Sequence, residues 1–226
     1  MNDNKTALLT EGCFIIQICF TAVSRAASAA IIRKHNINIE SIFWGYPYIC
    51  KKMLSKKDIV AEGPFLNYIN KAAGADVAKS IRKSTKAFQK LLKNIPAKKR
   101  NHAYAEGKWT IKESLQHIID AERVFAYRAL RVARLDATPL PGFDENSWAM
   151  AANKIDRKWD DLVKEFKTVR ASTEILFQSL GEAELLFAGT ASNLPINALA
   201  LGYVIAGHLQ HHIEIIEQRY LAKKIK

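Results

Sequence analysis

From Asp76 onward the apolar residues of this chain recur at helical intervals. Val77, Ile81, Phe88, Leu91, Leu92 and Ile95 fall at spacings of three, four and seven behind Asp76, which can cap a helix, and Pro96 ends the run. A second helix opens at Thr110-Ile111-Lys112-Glu113, the spacing of a capping box, and extends to about Leu135. Its apolar positions are Leu115, Ile118, Ile119, Val124, Phe125 and Leu130. The segment Asp136 to Asp144, with Pro139, Pro141 and Gly142, has the composition of a loop. A third helical region begins near Glu145, and its main part follows Asp156, another cap candidate. Trp159, Leu162, Val163, Phe166, Val169, Thr173, Leu176, Phe177 and Leu180 trace one stripe there. Gly181 to Pro195 reads as a connection, and a last helix runs from about Ile196 to Leu221. Its first half is apolar on every side, the pattern of a buried helix. No stretch alternates with period two over strand length. Four long helices with short connections predict an all-α protein, a four-helix bundle.

Residues 1–60 differ in character. An apolar run from Cys13 to Val23 is broken by Gln17 and Thr21, too short for a membrane span. Ala27-Ser28-Ala29 fits a signal-peptide cleavage pattern, but Asp3 and Glu11 replace the usual basic start. A translation start placed too early, with the true one at Met53, is the preferred reading. We therefore divide the chain into an N-terminal extension, 1–60, poorly ordered or loosely packed, and a helical domain, 61–226.

Composition narrows the function. The 226 residues are 49% apolar and 25% charged, enough to build a sizeable core. Thirty-four basic against 22 acidic residues give a formal charge of +12, which raises nucleic acid or an anionic membrane surface as a partner. The charges are dispersed, however. Lys79, Lys83, Lys86, Lys90 and Lys93 form the outer face of one helix, and solvation accounts for them more simply than a phosphate track does. No basic segment interleaved with aromatics points to base stacking. Cys13, Cys19 and Cys50 all precede the helical part, so that part holds no thiol for catalysis or redox work and no disulfide framework.

Histidines carry the chemistry. His208 and His212 are one turn apart, about 6 Å along the axis, and share a face. His117 lies on a different helix about ninety residues upstream. Singly, each is accounted for by an imidazole satisfied by backbone carbonyls. Together, on facing helices, they can meet one cation and leave a coordination position open. The spacing also opens the zinc-protease motif, but Leu209 stands where that motif needs its glutamate base. His211 points about a hundred degrees away from His212. His35 and His102 fit no such set. Asp120, three residues past His117, is the first candidate to orient an imidazole, and equally reads as a surface carboxylate. Glu122 and Glu214 are less natural partners. Arg128 falls on the His117 face and could bind an anionic substrate group or pair with a carboxylate. Tyr203 and Trp109 could line a pocket or belong to the core.

Glu106-Gly107-Lys108-Trp109-Thr110-Ile111-Lys112-Glu113, followed by His117, Asp120 and Glu122, resembles the first signature of the DinB-like superfamily. Ala206-Gly207-His208-Leu209-Gln210-His211-His212 resembles its second. Thr138 to Asp144 and Gly189 to Ser192 are similar to one bacterial branch. This superfamily groups metal-binding four-helix bundles and includes bacillithiol S-transferases and relatives of YfiT. The likeness covers about Phe65 to Leu221. It implies a divalent metal, zinc or nickel, on His117, His208 and His212, and a homodimer. It implies chemistry in which a low-molecular-weight thiol (S-transferase) or water (hydrolase) is activated toward a small-molecule substrate. The alternative is a bundle that binds metal or ligand without turnover. No nucleic-acid or membrane partner is expected. The expected location is the cytoplasm, or outside it if the N-terminal segment acts as a leader.

Overall fold

The structure, a computed structural model, describes residues 54–222. The readings of residues 1–53 as leader, early start or loose extension lie outside the described residues. Helices α1 (Phe65–Lys71), α2 (Val77–Asn94), α3 (Ile111–Ala133), α4 (Glu145–Ala152), α5 (Trp159–Ser179) and α6 (Glu182–Leu186) are followed by a hairpin. The hairpin pairs β1 (Ala188–Ala191) antiparallel to β2 (Leu194–Asn197), and α7 (Ala198–Ile215) closes the fold. The four long helices α2, α3, α5 and α7 form the expected four-helix bundle. Helix α7 packs against α1, α2 and α3, and α5 against α2 and α3.

Local chemistry sets most helix ends. The Asp76 carboxylate accepts from the Lys79 amide at 2.7 Å and starts α2. At α3 the capping box forms in both directions, with 3.1 Å from the Glu113 amide to Thr110 Oγ1 and 2.6 Å from the Thr110 amide to the Glu113 carboxylate. Asp144 caps α4. Asp156 does not cap α5, contrary to the sequence reading. Its carboxylate is drawn into an ion pair with Lys112 on α3, and α5 starts after Lys158 without a side-chain cap.

Two further departures come from short elements. The Gly181–Pro195 connection contains α6 and most of the hairpin, turned at Ser192 and Asn193 with φ of 52° and 64°. Ile196 therefore lies in β2, and α7 begins at Ala198, directly after Asn197, whose side chain caps the Ala200 amide at 2.9 Å. The last helix also does not run unbroken to Leu221: Ile216–Leu221 widens into a π-helical turn.

The core divides into two apolar clusters. One holds Ile81, Phe125, Phe177, Leu199 and Tyr203; the other holds Phe88, Leu115, Phe166, Leu209 and Ile213. On each long helix the change from one cluster to the other falls at or beside buried polar residues: Ser84 and Thr85, Glu122, Arg170 and Thr173, and His208. The functional side chains grow out of this layer. Leu130, expected inside, is 38% exposed, and the buried positions beside it go to Ala129, Val132 and Ala133. The five lysines of α2 all face solvent. No helix among the described residues is long and apolar enough to cross a membrane.

Candidate metal centre

His117 projects from α3, and His208 and His212 from the second half of α7, which packs against α3. The structure brings the three together. Nε2 of His208 lies 3.1 Å from Nε2 of His117 and 3.1 Å from Nε2 of His212. One ligand atom from each falls within 4.8 Å of the others. His208 and His212 are buried, at 4% and 7% exposure, and His117 is half-buried.

The donor chemistry suits a cation. Two nitrogens bound to one tetrahedral ion at 2.0–2.1 Å stand about 3.3 Å apart, close to the 3.1 Å found for both pairs. A neutral imidazole has one lone pair on its acceptor nitrogen. The lone pair of His208 Nε2 can accept one neighbouring N–H well but not two, whereas a cation serves all three nitrogens. Burial, then the charge of His211, pushes His117 down to about 4. Burial and the neighbouring imidazoles push His208 and His212 well below the usual histidine range. All three are neutral at pH 7, the form that binds a metal.

Aromatic rings fix the imidazoles. Trp109 lies tilted against His117 at 4.8 Å between centroids, and Phe125 and Tyr68 meet His208 edge-on at 5.5 and 5.2 Å. The Tyr220 hydroxyl, presented by the π-helical turn, donates to the Trp109 carbonyl and ties that loop to the end of α7. A cleft of about 260 Å³ opens beside the cluster, lined by His117 and His212 together with Tyr68, Tyr104, Lys108, Trp109, Glu145, Asn146, His211 and Tyr220. Burial and the nearby Glu145 charge push the Tyr68 phenol up, so it stays a hydrogen-bond donor.

Other sequence candidates have different places. His211 lies on the cleft wall against Tyr68, with ring centroids 5.7 Å apart, outside the three-nitrogen group. Asp120 is held by the Gln116 amide at 2.9 and 3.0 Å and lies 3.8 Å from Arg123; none of these partners is an imidazole. Arg128 donates to the Pro141 carbonyl at 2.6 Å and to Ser192 Oγ at 3.1 Å, clamping the Asp136–Asp144 loop onto the hairpin turn. Its guanidinium lies over Phe125, the ring that packs on His208. Glu122 forms a buried ion pair with Arg170 at 2.7 Å, and Glu214 pairs with Lys71. Tyr203 is core, whereas Trp109 does line the cleft. The sequence reading missed Tyr68, Tyr104, Glu145 and Tyr220. A signal for Tyr68 was present in Gly207. A Cβ there would sit 1.7 Å from the Tyr68 carbonyl oxygen, so a glycine before His208 marks a backbone passing very close.

The family model of the DinB superfamily matches residues 80–216, which include all three histidines. No curated protein matches the chain. Among solved structures the chain is similar to YfiT from Bacillus subtilis, described as "a probable metal-dependent hydrolase with an unusual four-helix bundle topology". The TM-score is 0.51 at 16% identity, over 78% of this chain and 95% of that one, a likeness of fold. With the family match spanning well over half of its length, the chain belongs to the DinB superfamily.

Proposed function

We propose that this protein is a divalent-metal-dependent enzyme whose ion, zinc or nickel, is held by His117, His208 and His212. The observation that carries this reading is the convergence of three neutral imidazoles, two buried and one half-buried, beside an open cleft. An ion held there supplies Lewis acidity, which makes a nucleophile of a thiol or of water at neutral pH. The description of YfiT as a metal-dependent hydrolase, in a chain of the same fold, supports this class of chemistry.

The chain's own residues have distinct tasks in this reading. Low histidine pKa values keep the nitrogens unprotonated and available. Trp109, Phe125 and Tyr68 hold the rings against rotation, which lessens reorganisation during reaction. His208 closes the inner side of the site, and the cleft lined by His117 and His212 is the side from which substrate enters. Its volume admits a small organic molecule. A thiol nucleophile is not supplied by the described residues, which hold no cysteine. We place the reaction as S-transfer from a low-molecular-weight thiol or as hydrolysis.

The test is a panel of thiols with epoxide and halide electrophiles, run beside ester and amide substrates, on protein loaded with zinc or nickel. Turnover with one class, absent in His117→Ala, supports the reading and selects the reaction. Metal binding with no turnover across both classes overturns the enzymatic part and leaves a metal-binding bundle.

A further inference from the structure

Helix α1 stands outside the four-helix bundle and before residue 80, where the family match begins. It is nevertheless fixed closely against α7, beside His208. The Lys56 ammonium donates to the carbonyls of Ile69 and Ala72 at 2.7 Å each and caps its C-terminal end. Lys71 pairs with Glu214 on α7. The α1 backbone comes so close to α7 that only a glycine fits at 207, where a Cβ would lie 1.7 Å from the Tyr68 carbonyl oxygen and 2.5 Å from its carbon. This approach sets the Tyr68 ring 5.2 Å from His208 and 5.7 Å from His211, on the wall of the cleft that His117 and His212 also line.

The Tyr68 hydroxyl has no hydrogen-bond partner among the described residues. Of the two other phenols on this cleft, Tyr220 is committed to the Trp109 carbonyl and Tyr104 packs edge-on against Tyr220, whereas Tyr68 packs against His208 and His211. Packing alone would need only the ring of residue 68, and a phenylalanine would supply it. The phenol is a hydrogen-bond donor on the wall of the cleft that His117 and His212 also line.

We propose that Tyr68 contacts substrate at the three-histidine site, its hydroxyl donating a hydrogen bond to an oxygen acceptor, a carboxylate or acyl carbonyl, held in the cleft. This rests on the metal reading above. A donor placed beside a Lewis acid stabilises an oxygen on which negative charge accumulates. Tyr68 thus selects substrates that present such an oxygen, and it comes from a segment of this chain beyond the matched family region.

The probe is acetate, titrated into the Co(II)-loaded full-length protein and followed by the visible d–d spectrum. Tyr68→Phe removes one oxygen and keeps the ring. The expected result is unchanged cobalt stoichiometry and affinity, with acetate binding about tenfold weaker in Tyr68→Phe. Equal acetate affinity in the two proteins, or no acetate binding to wild type, overturns the assignment of Tyr68 while the metal reading stands. Failure of wild type to take up cobalt overturns the metal reading and this assignment with it.

Discussion

His117 and His208, 91 residues apart in the chain, bring their Nε2 atoms to 3.1 Å. Two helices far apart in the chain must pack in a fixed register for this to occur. That register is set by the apolar stripes flanking the histidines: Leu115, Ile118 and Ile119 on α3, and Leu209 and Ile213 on α7. The same packing takes the imidazoles out of water, which is why they are neutral.

Acid should therefore destabilise the metal-free protein. The folded pKa of His117 is about 4, and those of His208 and His212 lie well below the usual 6.5. The unfolded chain binds protons at these sites near pH 6.5, before the folded chain does. The stability from keeping them neutral is complete above about pH 6.5 and falls as pH drops toward 4 and lower. Thermal melts of metal-free protein should show a flat Tm from pH 7 to 8 and a decline below 6.5. His117→Gln should make that decline shallower. An identical slope in the two proteins would contradict the assignment.

The buried ion pair makes a second case. Glu122 and Arg170 sit 2.7 Å apart, with 3% and 2% of their side chains exposed. Glu122→Leu leaves a guanidinium without its carboxylate in the core and should cost about 3–5 kcal/mol in chemical denaturation. Glu122→Leu with Arg170→Leu should cost much less. The Arg170 charge also acts on His208, disfavouring positive charge there. The single variant should bind divalent metal more weakly, and the double variant should recover. Loss of the same size in both would mean that the charge pair has no part in it.

Lys56 ties the stretch before α1 to the domain. Lys56→Met removes two hydrogen bonds from an ammonium to the end of α1, and should lower stability by about 1 kcal/mol. Metal stoichiometry should stay unchanged, since α1 provides no member of the three-histidine group. A midpoint equal to wild type in urea would show the cap to be without effect.

Gly207→Ala should act at longer reach than its size implies. The new methyl meets backbone rather than a side chain that can swing away, so α1 must shift from α7. Circular dichroism should still report a helical fold. Acetate binding to the cobalt form should weaken at least as much as in Tyr68→Phe. Wild-type acetate affinity in a folded Gly207→Ala protein would show that the position of α1 does not govern the cleft.

The four long helices were legible because each buries one stripe for eighteen residues or more, or in α7 almost every residue. The capping box at Thr110 was legible because its two hydrogen bonds are local in sequence. What escaped is what depends on distant partners or on few residues. Helix α1 spans seven residues, too few to establish a period, and each strand of the hairpin spans four. Asp156 had the chemistry of a cap, but a lysine 44 residues away took its carboxylate. Arg128 was read as holding an anionic substrate group or a carboxylate, yet its partners are a carbonyl and a hydroxyl in two loops whose course no periodicity reveals. The three histidines were readable because helical spacing fixed two of them and the amphipathic face of α3 offered the third. Tyr68 was not, because the close approach that places it is written only in the missing side chain of Gly207.

The central claim is that His117, His208 and His212 hold one ion. Elemental analysis of the purified protein, beside folded His208→Ala and His211→Ala, tests it most directly. Wild type and His211→Ala should carry about one divalent ion per chain, and His208→Ala should carry none. Equal metal content in wild type and His208→Ala, or none in any of the three after incubation with zinc and nickel, would contradict it.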